Sequence, residues 1–124
     1  MDVNLLNAYF AGLIDGEGNV NIYKWKNRSQ TVMRPVIKVS MTSEKAILSL
    51  YKHFGGGFRR KKVYNGNKPQ WSWEVYSHKA VDVARVIRPY LIEKAALADK
   101  IINFGKENPR IYKIHKGRRI KGWA

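Results

Sequence analysis

Two pairs of strand-like runs, each pair preceded by a helical pattern that stops on glycine, restrict this chain to few folds. In residues 4–15, NLLNAYFAGLID, apolar positions recur at helical spacing. Leu5, Leu6, Tyr9, Phe10, Leu13 and Ile14 form a broad bulky face expected to bury, and Ala8, Ala11 and Gly12 form a stripe of small residues. Such stripes let two backbones approach closely. Asp2 or Asn4 can cap the start, and Gly16 and Gly18 end the helix. The period then drops to two. Val20 and Ile22 alternate with Asn19, Asn21, Tyr23 and Trp25 over residues 19–28. Ile37, Val39 and Met41 alternate with Val36, Lys38 and Ser40 over residues 34–41, with Asn27 to Gln30 as the loop between.

Residues 42–57 return to helical spacing, with Thr42 or Ser43 as cap and Ala46, Ile47, Leu50, Tyr51 and Phe54 as the apolar stripe before Gly55 to Gly57. FRRKKVY and QWSWEVYS then flank NGNKP, whose Asn65-Gly66 step signals a hairpin. Helices are expected over 78–88 and 90–105, separated by Pro89. The fold class is therefore α+β: a four-stranded antiparallel sheet with helices on one face and the other face open. That face should be polar and basic. A twisted ribbon of this kind can enter a major groove.

Charge names the partner. Twenty-four Lys and Arg face nine Asp and Glu, a net +15. Such an excess repels itself, and phosphates relieve it, so a polyanion is expected. With no cysteine there is neither a disulfide framework nor a thiolate metal site. No apolar run approaches a membrane span and no secretion signal is visible, so the expected location is intracellular, with the polyanion it binds. One domain over 1–105 is followed by a basic tail, 106–124, expected to be partly disordered.

Two acids, Asp15 and Glu17, stand beside each other at the end of the first helix. In a basic chain this suggests a hard divalent cation for phosphate chemistry, bound by oxygens and keeping several waters. The free carbonyls of a helix C-terminus can add a ligand. His53, His78 and His115 have no metal-ligand spacing and read as structural or surface residues.

The stretch FAGLIDGEG, residues 10–18, resembles the LAGLIDADG motif of the homing endonucleases position by position, with Phe10, Gly16 and Glu17 as the departures. The αββαββα order, and RPYLIEKAA at 88–96, extend the resemblance over most of the chain. It implies a homing-endonuclease-like fold in which two motif helices pack through small faces, here Ala8, Ala11 and Gly12. Glu17 matches the metal-binding acid, the Gly16 carbonyl the backbone ligand, and Asp15 a supporting acid. Lys94 matches a basic residue near the scissile phosphate. The implied cofactor is Mg²⁺, with Mn²⁺ as a substitute. A single motif copy implies a homodimer cutting double-stranded DNA at a long pseudo-palindromic site. Met41 stands where the family often has a polar residue and cannot orient water. Lys45, one turn into the next helix, is a substitute to consider.

Strand alternation nominates Asn21, Tyr23, Trp25, Arg34, Lys38, Ser40, Arg60, Lys62, Gln70, Ser72 and Glu74 as DNA-contacting residues. Trp71 and Trp73 share a strand face and are assigned to the core, while Arg118, Arg119 and Lys121 in the tail could add phosphate contacts. The alternative function is a noncatalytic nucleic-acid-binding protein: a maturase whose partner is intron RNA, or a DNA-binding regulator. A ribosome-associated structural protein would explain size and charge but leaves FAGLIDGEG unexplained.

Overall fold

A computed structural model describes residues 2–27, 30–62, 66 and 68–109. Asn65 of the expected hairpin turn, and His115, Arg118, Arg119 and Lys121 of the basic tail, lie outside the described residues. The elements run α1 (Val3–Glu17), β1 (Gly18–Asn27), β2 (Gln30–Met41), α2 (Glu44–Phe54), β3 (Gly57–Lys61), β4 (Gln70–Tyr76), α3 (Ser77–Ile87), a 3-10 turn (Arg88–Tyr90) and α4 (Ala95–Glu107). The four strands form one sheet in the order β1-β2-β4-β3, with all neighbours antiparallel.

Caps set the helix starts. The Asp2 carboxylate accepts the Asn4 N–H at 2.6 Å, and the Ser43 hydroxyl accepts the Ala46 N–H at 3.2 Å. β2 begins at Gln30, four residues earlier than the pattern indicated, and takes in Pro35. Pairing of β2 with β4 starts only at Val36, so Pro35 faces a neighbouring strand on the β1 side alone. That is a position where the missing N–H is tolerated.

All helices pack on one sheet face. Ile14, Ile37, Val39, Ile47, Leu50, Trp73, Val75, Val81, Ile87 and Ile101 are fully buried between the two layers. The Trp73 indole donates to the Gly55 carbonyl at 2.7 Å, which gives the one polar atom of this core tryptophan a partner. Gly56, at φ +96°, turns the chain from α2 into β3. A Cβ there would lie 2.6 Å from Val75 Cγ1 and 2.7 Å from the Glu74 carbonyl oxygen. Only glycine fits.

Two expectations are corrected here. α1 is rotated from the assignment of bulky residues to the core and small residues to the outer stripe. Phe10, Ala11 and Ile14 are buried, whereas Leu5 and Tyr9 are 62% and 58% exposed. Ala11, nominated for a helix–helix interface, is thus a core residue, while Gly12 is open to solvent and Ala8 half-buried. The inward-facing side of α1 thus runs through Phe10, Ala11 and Ile14, and Tyr9 is left on the outside. The second correction is at α4, which starts at Ala95 rather than near 90. Residues 92–94 are held instead by a side chain from α1.

Candidate active site and nucleic-acid interface

That side chain is Asp15. Its Oδ2 accepts the backbone N–H groups of Ile92 and Glu93 at 2.9 and 3.1 Å, and Oδ1 accepts that of Lys94 at 2.8 Å. These N–H groups lie just ahead of α4, where backbone donors have no helical partner. Desolvation pushes the Asp15 carboxyl up, but the bonds from Ile92, Lys94 and Glu93, with the nearby Lys94 charge, outweigh it and hold the group below the usual carboxylate value. Asp15 is therefore a brace with both oxygens occupied. In return, the Lys94 Nζ donates to the Asp15 backbone carbonyl at 2.5 Å, which fixes this ammonium on the C-terminal end of α1. A cation there also opposes the negative pole of the helix.

Glu17 contrasts with Asp15. It is exposed, closes α1, and lines one edge of a 510 Å³ concavity on the open sheet face. The last helical bond runs from the Gly18 N–H to the Ile14 carbonyl, so the Gly16 carbonyl lies beyond the helical ladder. Gly16 itself has nothing within 4 Å of where a Cβ would sit. Among the described residues no group of three His, Cys, Asp or Glu comes together as a complete metal site. A cation at Glu17 and Gly16 would take its remaining ligands from water and phosphate oxygens, as magnesium commonly does.

The concavity is floored by three strands. Asn19, Tyr23 and Trp25 come from β1, Arg34, Val36, Lys38 and Ser40 from β2, and Glu74 and Tyr76 from β4, with Lys61 of β3 at its side. Asn21 and Gln70 are exposed on the same face by register. Within the concavity the Arg34 guanidinium lies 4.6 Å from the Trp25 ring centre and 5.4 Å from that of Tyr76. Burial, followed by hydrogen bonding to Glu74 and the Glu74 charge, pushes the Tyr76 phenol up to about 12. It stays protonated at any ordinary pH.

Three nominated contacts are displaced. Phe58 pairs with Trp73 and Arg60 with Trp71, so Arg60 is on the helix-covered side, its guanidinium 5.8 Å from the Trp71 ring centre. Lys62 lies past the end of β3, in phase with Arg60. Arg59 and Lys61, opposite Ser72 and Gln70, take their places on the open face. Ser72 has the expected face but is fully buried. It is a small residue on the inner strand β4, pairing with Ser40 on one side and Arg59 on the other. Glu74 is partly committed as well, 3.7 Å from Arg59 with its side chain 12% exposed. Met41 packs against the core opposite Trp71, so the polar group at that end of β2 on the concavity is Ser40. Lys45 is exposed on α2. His53, assigned a structural role, bonds Asn7 at 2.7 Å, and burial pushes its imidazole down.

Arg59 and Lys61 were legible in principle. Phe58 is the only large apolar residue of β3, and its parity alone marks the inner face.

The LAGLIDADG endonuclease family model matches residues 10–108. Solved structures share the fold. The homing endonuclease I-CvuI, in complex with the I-CreI target in the presence of magnesium, superposes with TM-score 0.73 at 22% identity, covering 86% of this chain and 69% of that one. An archaeal intron-encoded homing endonuclease complexed with DNA, I-Vdi141I, gives TM-score 0.60 at 15% identity, covering 98% and 89%. The group I intron-encoded homing endonuclease I-CeuI, also complexed with DNA, gives 0.64 at 17%, covering 88% and 56%. Comparison with curated protein sequences returns no match. No described helix is long and apolar enough to cross a membrane.

Proposed function

From the premise that the chain belongs to the LAGLIDADG endonuclease family, we propose that it is a site-specific endonuclease. It hydrolyses phosphodiester bonds of double-stranded DNA with a divalent metal, as a homodimer on a long pseudo-palindromic site. The observation that carries this reading is the pairing of an uncommitted acid, Glu17, with a fixed ammonium, Lys94, at one helix end beside a basic concavity.

Glu17 and the Gly16 carbonyl form an all-oxygen donor pair that fits magnesium, with manganese as a substitute. The ion, when bound, supplies an activated water and neutralises charge on the scissile phosphate. Lys94, held against the Asp15 carbonyl, presents a positive charge to the phosphate as negative charge develops there. Asp15 keeps Lys94 in place. The sheet face of Asn, Arg, Lys and aromatic residues supplies groove and backbone contacts. Incubating the protein with a randomised duplex library and Mg²⁺ is expected to yield recurrent, two-fold symmetric ends that disappear with EDTA. Duplex binding without any enriched ends would move the assignment to a noncatalytic binding protein.

Assembly through α1 completes the reading. Leu5 and Tyr9 are exposed apolar residues, and Gly12 and Gly16 follow on the same side with open space above them. Large residues at one end and glycines at the other suit two copies of one helix crossing about a two-fold axis. That crossing would bring two Glu17 side chains to the middle of the DNA. Gly12→Leu adds bulk where the monomer has room, and leucine favours helix by about 1 kcal/mol over glycine. The expected result is a folded monomer in sedimentation equilibrium that no longer makes double-strand breaks. A variant that stays dimeric would place the interface elsewhere.

A further inference from the structure

Arg34 stands apart from the other cations of the open face. Its guanidinium carbon lies 4.6 Å from the Trp25 ring centre and 5.4 Å from that of Tyr76, with Trp25 on β1 and Tyr76 on β4. Arg34 is thus bracketed from both sides across the strand it belongs to. Among the described residues no carboxylate pairs with it, whereas Arg59 has Glu74 and Arg88 has Asp99. Cation–π contact uses the charge and leaves the N–H donors free. We propose that Arg34 is a guanine-reading residue, positioned before DNA arrives by Trp25 and Tyr76, and that it makes one guanine per half-site a principal determinant of the target. This rests on the reading of the sheet as a DNA-binding surface.

The chemistry favours guanine over a phosphate. A planar fork of donors matches the O6 and N7 acceptors of guanine in the major groove with two bonds. A long flexible side chain ordinarily loses rotamer freedom on making them. Here much of that freedom is already lost in the free protein, since two rings fix the guanidinium. A phosphate contact gains little from such fixing, because a mobile lysine serves nearly as well as a point charge. Arg34 pairs with Tyr23, six residues along β1 from Glu17. At about 3.3 Å per residue this is roughly 20 Å from the acid. The guanine should therefore fall about six base pairs outward from the cleavage region, at a rise of about 3.4 Å per base pair.

The test is selection of bound duplexes from a randomised library in Ca²⁺, comparing the wild type with Arg34→Lys and Trp25→Leu, together with the salt dependence of affinity. In the wild type one strongly preferred guanine per half-site is expected, with discrimination between about fivefold and about 150-fold. Arg34→Lys keeps the charge, so the salt slope should hold while preference at that one position falls at least fivefold. Trp25→Leu keeps Arg34 but removes one ring, and a partial loss at the same position is expected. Arg34→Lys with unchanged base preferences at every position would overturn the proposal and make Arg34 a phosphate contact. A wild type that selects no sequence would overturn both this proposal and the endonuclease reading, whereas a selective wild type with an insensitive Arg34 removes this proposal alone.

Discussion

Replacing Glu17 with glutamine is expected to lower DNA cleavage by about a thousandfold or more while duplex affinity holds or rises. The amide keeps the size of the side chain but loses the charge that a hard cation needs. Deleting a single electrostatic group aimed at a reacting centre already lowers rates by about 10² to 10³. A lost metal ligand belongs at or above the top of that range. The fold should not notice, because Glu17 is exposed and among the described residues makes no ion pair. Binding should not weaken, because removing one negative charge from a basic surface does not lessen its attraction for phosphates. Single-turnover cleavage in saturating Mg²⁺, beside fluorescence anisotropy on the same duplex, separates the two effects. A variant that cuts within tenfold of the wild type would remove Glu17 from the chemistry. Equal loss of binding and cleavage would make it a structural group.

The two acids of the FAGLIDGEG stretch show why neighbouring residues of the same charge need different tests. Both lie within one turn of the same helix end. Asp15 turns toward the body of the protein and meets three backbone donors, while Glu17 turns toward the open sheet face. That division could not be read from the string, since the partners of Asp15 are 77 to 79 residues away. The same holds for other misplaced residues. Alternation in β1 and β2 was legible because each carries several apolar residues in phase, and the register bears this out from Asn19 opposite Lys38 to Arg34 opposite Tyr23. β3 has five residues and one apolar marker, so the phase of Arg59, Arg60 and Lys61 depended on a single side chain. Burial of Ser72 follows from β4 lying inside the sheet, and strand order is a property of the whole fold. The rotation of α1 has a similar origin. Helical spacing defines which residues share a side, but the sheet beneath decides that Ala11 faces inward and Tyr9 outward.

Asp15→Ala is expected to damage both the fold and the chemistry. Three N–H groups ahead of α4 would lose a charged acceptor. Bonds to charged groups contribute about 1.5 to 3 kcal/mol each when fully counted. Water can reach this partly exposed site, so a net loss of about 2 kcal/mol is the reasonable figure. For a chain of this size that lowers Tm by roughly 5–10 °C. The 3-10 turn just ahead of these residues would keep its own tether, the Arg88 to Asp99 pair at 2.6 and 3.1 Å, so the segment should loosen rather than unfold. Lys94 loses its backbone anchor at the same time. The main-chain carbonyl at position 15 can still accept the ammonium, but the backbone that carries Lys94 is no longer pinned to α1. The ammonium should therefore shift, and single-turnover cleavage well below Tm should fall at least about tenfold, since small misplacements at a reacting centre can cost that much or more. DNA affinity should change little, which a merely unstable protein would not display. Acid stability supplies an independent readout. The native Asp15 carboxyl is held below its unfolded value of 3.8, so its contribution is complete above that pH and is lost as pH falls from 3.8 through the native value. Asp15→Asn, which keeps an acceptor but cannot ionise, should flatten the stability profile in that window and lose less Tm than alanine at neutral pH. An alanine variant that melts with the wild type and cuts at its rate would show that the brace on Lys94 is dispensable.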